Sequence, residues 1–512
     1  MKKRLLIALS IILILIAGCA VQPTQTPTTQ PTPEQTAEET PTQTTPATET
    51  QKTTDTKQEE PTSKYKPATT NKKAIIDTSQ DNCYDNTRKM RCPSEGADFF
   101  GQDAQYQTTT PKYKDNNDGT ITDLSTGLMW QQDPKSKKTY DQAIDGAADF
   151  RLAGHDDWRI PTIKELYSLM DFRGIDPDST GQDTSGLTPF IDTDYFNFEY
   201  GDTSTGDRII DSQWASGTKY ISTTMGGDET VFGVNFADGR IKGYGIETPR
   251  GKKTFFVIYV RGKDYGINRF KDNNDNTITD DWSGLTWQEQ DSKKGMTWKD
   301  ALNYCEELNL ATHDDWRLPD AKELQSIVDY TRSPDATSSA AIDPIFDTTD
   351  ITNEAGKKDY PFFWTGTTHV NERSADSAAY ISFGRAMGYM NNVWLDVHGA
   401  GCQRSDPKSG DPDDYPTGHG PQGDARRIYN YARCVRGGAE LVDVKFTSTQ
   451  PTTTQQQPPT QTPPNSQGTP PPEATAACSG KSEGASCSFK APDRTITGTC
   501  RNTPQGTACV PI

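Results

Sequence analysis

The segment DVHGAGCQRSDPKSGDPDDYPTGHGPQGDARR, residues 396–427, concentrates side chains that bind ions. Carboxylate oxygens are the ligands that hard cations prefer, and guanidinium groups bind anionic sugars through paired hydrogen bonds. Because loops on a rigid scaffold often carry function, the segment predicts a cation or glycan site. The alternative is a polar surface loop ordered by its own turns. The candidate ligand-binding residues are Asp396, His398, Arg404, Asp411, Asp413, Asp414, His419, Asp424 and Arg426.

Two Asp/Asn/Gly clusters are candidate Ca²⁺ loops, and Ca²⁺ is the one cofactor that the sequence suggests. Asp115 and Asn117 in KDNNDGTITD, and Asp272 and Asn274 in KDNNDNTITD, have the spaced oxygens of such a loop. No Glu follows at the position that an EF-hand requires. The alternative interpretation is an Asx turn between two strands.

A basic cluster stands out in an otherwise acidic chain. It consists of Arg240, Lys242, Arg250, Lys252 and Lys253. Such a cluster is suited to binding a sulfate or a carboxylate. The alternative is a solvated hairpin.

Residues for catalysis are not evident. A thiol hydrolase built on Cys402 and His398 needs an orienting partner and oxyanion donors, and the sequence identifies neither. His155 and His313 alone do not make a metal site. We therefore expect a binding protein and no enzyme activity.

A long internal repeat underlies these candidates. HDDWRIPTIKEL at residues 155–166 returns as HDDWRLPDAKEL at residues 313–324, and KYKDNNDGTITDLSTGLMWQQ returns as RFKDNNDNTITDDWSGLTWQE. The first copy spans residues 113–262 and the second spans residues 268–437. Each is long enough to have its own core.

Helix-start signals recur in both copies. Thr139 followed by Gln142, Thr162 followed by Glu165, and Asp320 followed by Glu323 are capping-box patterns, and Thr297 is a fourth N-cap. Trp158 and Trp316 are expected to anchor the corner before the second helix. Short aromatic strands punctuated by glycine follow, which indicates an α+β fold.

Composition and charge limit the partners. Only 32% of the 512 residues are hydrophobic, so part of the chain is expected to lack a packed core. A net charge of −18 disfavours nucleic acid, which requires a basic face.

The N-terminus MKKRLLIALSIILILIAGCA, residues 1–19 and Ala20, is a predicted lipoprotein signal peptide. Its apolar stretch is short for a membrane span. The string IAGC resembles a bacterial lipobox, which implies lipidation at Cys19 and membrane attachment through that lipid. Ala20 resembles the outer-membrane sorting pattern. We expect a lipid-anchored protein of the cell envelope, at the outer membrane or cell surface, where disulfides persist.

Two Thr/Pro/Gln segments, residues 20–73 and 447–477, are predicted disordered linkers. The first precedes a short lead-in at residues 74–112, and the second separates a four-cysteine module at residues 478–512.

The cysteines support a disulfide framework. Cys305 and Cys434 align with Ala147 and Tyr259 of the first copy. Because both cysteines are missing there together, we predict a Cys305–Cys434 bond. We also predict a Cys83–Cys92 bond, while Cys402 is left over. Four further cysteines suggest two bridges of open connectivity, and they are Cys478, Cys487, Cys500 and Cys509.

The repeated motifs resemble the family named for the C-terminal domain of the Legionella collagen-like adhesin. The motifs are D-N-x-D-x-T-I-T-D, G-L-x-W-Q, H-D-D-W-R-[IL]-P-x-x-K-E-L and V-R-G. The resemblance implies an extracellular domain, in one case an adhesin that recognises sulfated polysaccharides. The closing strand is also similar to C-type-lectin-like and formylglycine-enzyme-like folds.

These observations together predict a surface lipoprotein with two ligand-binding modules that recognises an extracellular polysaccharide or mediates adhesion. One alternative is a structural lipoprotein that binds an envelope protein. A second alternative is an enzyme on a formylglycine-enzyme-like scaffold.

Overall fold

The computed structural model describes residues 75–248, 251–442, 444, 472–490, 495–503 and 506–511. The predicted signal peptide with Cys19, the tether 20–73, Arg250 and most of the linker 447–477 lie outside these ranges. Among the described residues, no helix is both long and apolar enough to cross a membrane.

Short helices occupy equivalent places in the two copies. Thr139, Thr162 and Asp320 form the predicted capping boxes, and the Thr297 side chain accepts a hydrogen bond from the Asp300 amide. The helices are α1 (Tyr140–Asp149) and α2 (Ile163–Ser168) in the first copy, α3 (Trp298–Glu306) and α4 (Ala321–Ser326) in the second, and α5 (Pro472–Ala476) near the C-terminus.

Each copy is closed by a small four-stranded antiparallel sheet in which the last strand of the copy pairs with its third. The first copy contributes Tyr113–Asp115, Thr120–Asp123, Met129–Gln131 and Val260–Arg261. The second contributes Phe270–Asp272, Thr277–Asp280, Thr286–Gln288 and Val435–Arg436. The copies are thus tandem domains of the same topology, built mostly from strands with few helices.

The two copies share one six-stranded antiparallel sheet. Its strands are β1 (Gln213–Thr224), β2 (Asp228–Asn235) and β3 (Arg240–Gly245) from the first copy, and β4 (Phe362–His369), β5 (Ser377–Ser382) and β6 (Gln403–Pro407) from the second. The order is β4-β5-β6-β3-β2-β1. Ile241 of β3 pairs with Gln403 of β6. A pseudo-two-fold axis therefore passes between β3 and β6.

The remaining strands are short or belong to the C-terminal module, which forms its own three-stranded sheet. They are Cys83–Tyr84, Lys89–Met90, Tyr106–Gln107, Lys138–Thr139, Glu247–Thr248, Gly251–Lys252, Thr254–Phe255, Ile351–Thr352, Lys358–Asp359, Met387–Met390, Val393–Asp396, Glu440–Leu441, Ser486–Lys490, Thr495–Thr503 and Gly506–Pro511.

The expectation of two separate cores is only partly right. One buried cluster around Tyr140 and Trp158 belongs to the first copy, and another around Trp298 and Trp316 belongs to the second. The largest cluster contains residues of both copies and of the lead-in. The reason is that β3 and β6 pair at the axis, so apolar side chains on either side bury against each other rather than against water.

The repeated HDDWR string positions the second helix of each copy. Arg159 forms two hydrogen bonds with Glu165, at 2.7 and 2.6 Å, and Arg317 pairs with Glu323 in the same way, at 2.6 and 2.7 Å. Each Glu also accepts the backbone N–H of its helix N-cap residue. The second aspartate of the string contacts the last strand of the copy instead, where Asp157 accepts a hydrogen bond from Arg261 at 2.6 Å.

The lysine of the KEL string connects the two copies. Lys164 Nζ donates to the carbonyl of Ser326, at the end of α4, over 2.7 Å. Reciprocally, Lys322 Nζ donates to the carbonyl of Ser168, at the end of α2, over 2.9 Å. Each lysine therefore caps the helix of the other copy with a cation, which suits the negative end of the helix dipole.

The predicted pairs Cys305–Cys434 and Cys83–Cys92 are both disulfides in the structure. The four-cysteine module contains Cys478–Cys500 and Cys487–Cys509. Cys402 is a free, buried thiol. The bond at Cys305 ties α3 to the segment that leads into the last strand of the second copy, and this closes a long loop.

Another contact between the copies involves Asp396, whose side chain is only 8% exposed. Its Oδ2 accepts the Tyr220 hydroxyl of the first copy at 3.0 Å, and its Oδ1 accepts the Gly399 amide at 2.8 Å. Burial raises the pKa of Asp396 to about 7. The carboxyl is thus an internal group that favours its protonated form.

We predict that Lys322→Met destabilises the whole two-copy body. Lys322 Nζ also donates to the Asp77 carbonyl over 2.8 Å, so its loss leaves two buried carbonyls without their donor. The free energy of unfolding in urea should fall by about 2–4 kcal/mol. Lys263→Met, at an exposed position, is the control and should change it by less than about 0.5 kcal/mol. An equal effect of the two substitutions would contradict the bridging role of Lys322.

Asp396→Asn should stabilise the protein at alkaline pH and not at acid pH. The folded-state pKa of about 7 exceeds the unfolded value of about 3.9, so folding favours the proton, and stability from this group is lost as pH rises through 7. Because asparagine resembles the protonated acid, we expect a gain on the order of 2 kcal/mol at pH 8 and little change near pH 4. Urea unfolding at both pH values measures it, with the exposed Asp149→Asn as control. A difference independent of pH would refute the internal-acid interpretation.

Candidate functional site

The two central strands line a charged pocket of about 570 Å³, which we call the axis pocket. Ile241 and Gln403 mark the axis, and Lys242 and Arg404 follow them at equivalent positions of β3 and β6. Both copies contribute the walls. The charged and histidine lining residues are Asp176, Asp178, Arg208, Asp238, Arg240, Lys242, Lys253, His369, Glu372, Arg373, Arg404, His419, Asp424 and Arg426.

Two groups of candidates that lie far apart in sequence meet in this pocket. Arg240, Lys242 and Lys253 come from the basic cluster of the first copy. The second copy's segment 396–427 contributes Arg404, His419, Asp424 and Arg426. The site is therefore a composite of both copies.

Other candidates lie elsewhere. Asp411, Asp413 and Asp414 are exposed around a short turn, where the Asp411 side chain accepts the Asp413 amide. Asp396 belongs to the interior contact between the copies. Lys252 pairs with Asp141 outside the pocket.

The candidate Ca²⁺ loops form Asx turns. Asp115 Oδ1 accepts the Asn117 amide at 2.7 Å, and Asp272 Oδ1 accepts the Asn274 amide at the same distance. Both asparagines have a φ of 57°, which asparagine tolerates well. In the described part of the chain, the one convergence of three potential Asp, Glu, His or Cys ligands consists of disulfide cysteines.

Asp424 of the axis pocket is held by two neighbouring side chains. It pairs with Arg404 and accepts a hydrogen bond at 3.0 Å from His398 Nε2. Burial opposes its ionisation, but Arg404 and then His398 outweigh burial and hold the pKa of Asp424 well below its usual range. Burial lowers the pKa of His398 to about 4, so this imidazole is neutral near pH 7 and positions Asp424.

A second set of ion pairs lies on the first-copy side. Lys242 pairs with Asp238, and Arg240 bridges to Asp176 over 2.7 Å. Burial lowers the pKa of Lys242 to about 8 despite the opposing effect of Asp238. Lys242 is therefore a cation at neutral pH, and it loses its proton as the pH rises through about 8.

The pocket nevertheless keeps unused donors. Within the described part of the chain, Arg404 Nη1 and Arg426 Nε are buried and have no hydrogen-bond partner. Lys253 Nζ lies 4.6 Å from the centre of the Tyr244 ring, and burial lowers its pKa to about 8. Buried donors without acceptors are energetically unfavourable. Both nitrogens are also shielded from solvent, so the ligand preference of the pocket follows from its lining, which has seven Lys or Arg side chains and five Asp or Glu.

Several pocket residues were not anticipated from the sequence. Asp176, Arg208 and His369 come from loops and a strand end that carry no repeated motif. The string ADGR, which contains Asp238 and Arg240, is the one local signal, since it places opposite charges at a tight turn.

Comparison with known proteins gives one result. The model of the Lcl C-terminal domain matches residues 119–261 and again residues 276–397, together more than half of the chain. No curated protein and no solved structure shows significant similarity. The matched ranges correspond to the two copies described above. The chain therefore belongs to the Lcl C-terminal domain family and carries that domain twice.

Proposed function

We propose that this protein is a lipid-anchored surface protein that recognises anionic polysaccharide through the axis pocket. Family membership supports a surface, adhesin-like role. The predicted lipobox at Cys19 and the tether that follows it support display away from the membrane. The closing strand that pairs within each copy supports the finer prediction of a C-type-lectin-like, formylglycine-enzyme-like fold.

The observation that carries the proposal is the excess of cations in the pocket lining, which has seven Lys or Arg side chains against five Asp or Glu. Arg404, Arg426 and Lys253 line this one pocket from both copies. A sulfate or uronate group accepts several hydrogen bonds at once and suits planar guanidinium groups. A pocket of about 570 Å³ lies within the size range of sites that bind small ligands.

The acidic residues of the pocket also support the binding of an anion, because they hold the cations in place. Asp424 and Asp238 each hold a cation in place, so Arg404 and Lys242 present their remaining N–H groups in fixed directions. Pre-ordered donors lose little side-chain entropy when a ligand binds. We propose one composite site per chain in place of two independent modules, because both copies contribute its cations.

Lys253→Gln should weaken binding to heparin, used as the sulfated probe, about five- to tenfold, which corresponds to about 1–1.4 kcal/mol. The adjacent Lys252→Gln is the matched control, because Lys252 pairs with Asp141 outside the pocket and should leave affinity unchanged. Since the pKa of Lys253 is about 8, wild-type affinity should fall as pH rises through 8. Calorimetric titration, with uncharged dextran as the negative ligand, measures both effects.

Two results would contradict the proposal. One is heparin affinity that responds equally to both lysine substitutions, which would indicate a diffuse surface charge effect. The other is equal binding of heparin and dextran. Titrations with and without Ca²⁺ separate a cation-bridged mode from direct contact with the cations of the pocket.

A further inference from the structure

Three polar side chains contact one another in series where the two copies meet. Lys164 Nζ lies 2.7 Å from Asn268 Oδ1, and Asn268 Nδ2 lies 3.1 Å from Asp280 Oδ2. Because Cγ of Asn268 is one bond beyond Oδ1, the lysine nitrogen lies within roughly 4 Å of an amide carbon. That separation is near the 3–3.5 Å or so at which reacting atoms are poised for attack.

The triad is buried on the side of Asp280 and borders a pocket of about 430 Å³ on the side of Lys164 and Asn268. Asp280 is fully buried, and Trp282, two residues further along the chain, is buried beside Tyr265, with the two ring centres 5.2 Å apart. Burial lowers the pKa of Lys164 to about 8, against the opposing effect of Asp280. A substantial fraction of Lys164 is therefore the neutral, nucleophilic amine at mildly alkaline pH.

The pseudo-equivalent position in the other half lacks the electrophile. Lys322 corresponds to Lys164 and Asp123 to Asp280, but Pro111 stands where the second copy has Asn268. Lys322 Nζ donates to backbone carbonyls alone within the described chain. A lysine can thus connect the two copies without an asparagine beside it, so Asn268 is an addition specific to one side.

We propose that Lys164 and Asn268 form an intramolecular isopeptide bond. The neutral amine of Lys164 attacks Cγ of Asn268, the Nζ–Cγ bond forms, and the Cγ–Nδ2 bond breaks. One proton passes from Nζ to Nδ2, which leaves as ammonia, while the Asp280 carboxylate, which accepts a hydrogen bond from Nδ2, holds the amide in place. No oxidant or reductant takes part, and the products are a secondary amide and one ammonia molecule.

Such a bond would join α2 of the first copy to the start of the second. Lys164 also donates to Ser326 and Gly266 carbonyls, so its stem is already held across the junction. A covalent link here removes the loop between residues 164 and 268 from the length of chain that can extend when the protein is pulled. Only the residues outside that loop could then be stretched under load. This suits a protein pulled between a membrane anchor and a bound polymer.

Peptide mass spectrometry of the denatured full chain tests the bond directly. Trypsin cannot cleave after an acylated lysine, so residues 160–173 should appear joined to residues 264–269, with the mass of one ammonia lost. Linking should be faster at pH 9 than at pH 7, because more Lys164 is neutral. Lys322 should be cleaved normally in every sample and is the internal control.

Two variants fix the chemistry. Asn268→Ala should abolish the joined peptide while keeping the fold, since Asn268 is only partly buried. Asn268→Asp should give the same joined peptide with loss of water in place of ammonia. Complete tryptic cleavage after Lys164 in wild-type protein, even after prolonged incubation at pH 9, would overturn the proposal. It would show that Lys164 and Asn268 are joined by a hydrogen bond alone.

Discussion

The pairing of β3 with β6 is the constraint on which the rest of the structure depends. Two duplicated domains in tandem normally keep separate interiors, joined by a linker. Here the hydrogen-bonded pair of Ile241 and Gln403 makes one sheet, and the largest buried cluster crosses the boundary. Among the helices, Lys164 of α2 caps the end of α4, and Lys322 of α4 caps the end of α2. The duplication therefore acts as an isologous dimer whose two halves are on one chain.

This arrangement explains why the site is single and composite. Positions near a two-fold axis are the ones to which both halves contribute, and Lys242 and Arg404 are equivalent residues on either side of it. Their partners are not equivalent, because Asp238 belongs to a tight turn and Asp424 to the longer segment of the second copy. The asymmetry of the duplication thus gives a specific pocket instead of two symmetric half-sites.

The sequence predicts features that depend on neighbouring residues or on comparison between the copies. Capping boxes at Thr162 and Asp320 are local, and the Cys305–Cys434 bond follows from two cysteines that are absent together from the first copy. The merging of the two cores could not be predicted from neighbouring residues, because the sequence of β3 is that of an ordinary hairpin strand. The repeated lysine of the KEL string could have indicated a contact between the copies, because it has no partner within its own motif.

The candidate site divides in the same way. Residues such as Arg404 and Arg240 were recognisable as ion-binding types, but nothing in their spacing shows that they share a pocket. That depends on the strand pairing at the axis, which depends in turn on burial of apolar side chains from both copies in one cluster. The position of Asp396 also depends on this pairing. Its carboxylate looks like a cation ligand in sequence, yet the same pairing buries it against Tyr220.

Native-state hydrogen exchange tests the central claim that the two copies form one cooperative body. Exchange is followed in increasing urea for the amides of β2 and β3 and for those of β5. A shared interior predicts that the slowest amides in both places open with the same free energy, because neither copy unfolds while the other stays intact. Opening energies that differ by about 2 kcal/mol or more would contradict it and restore two independent domains.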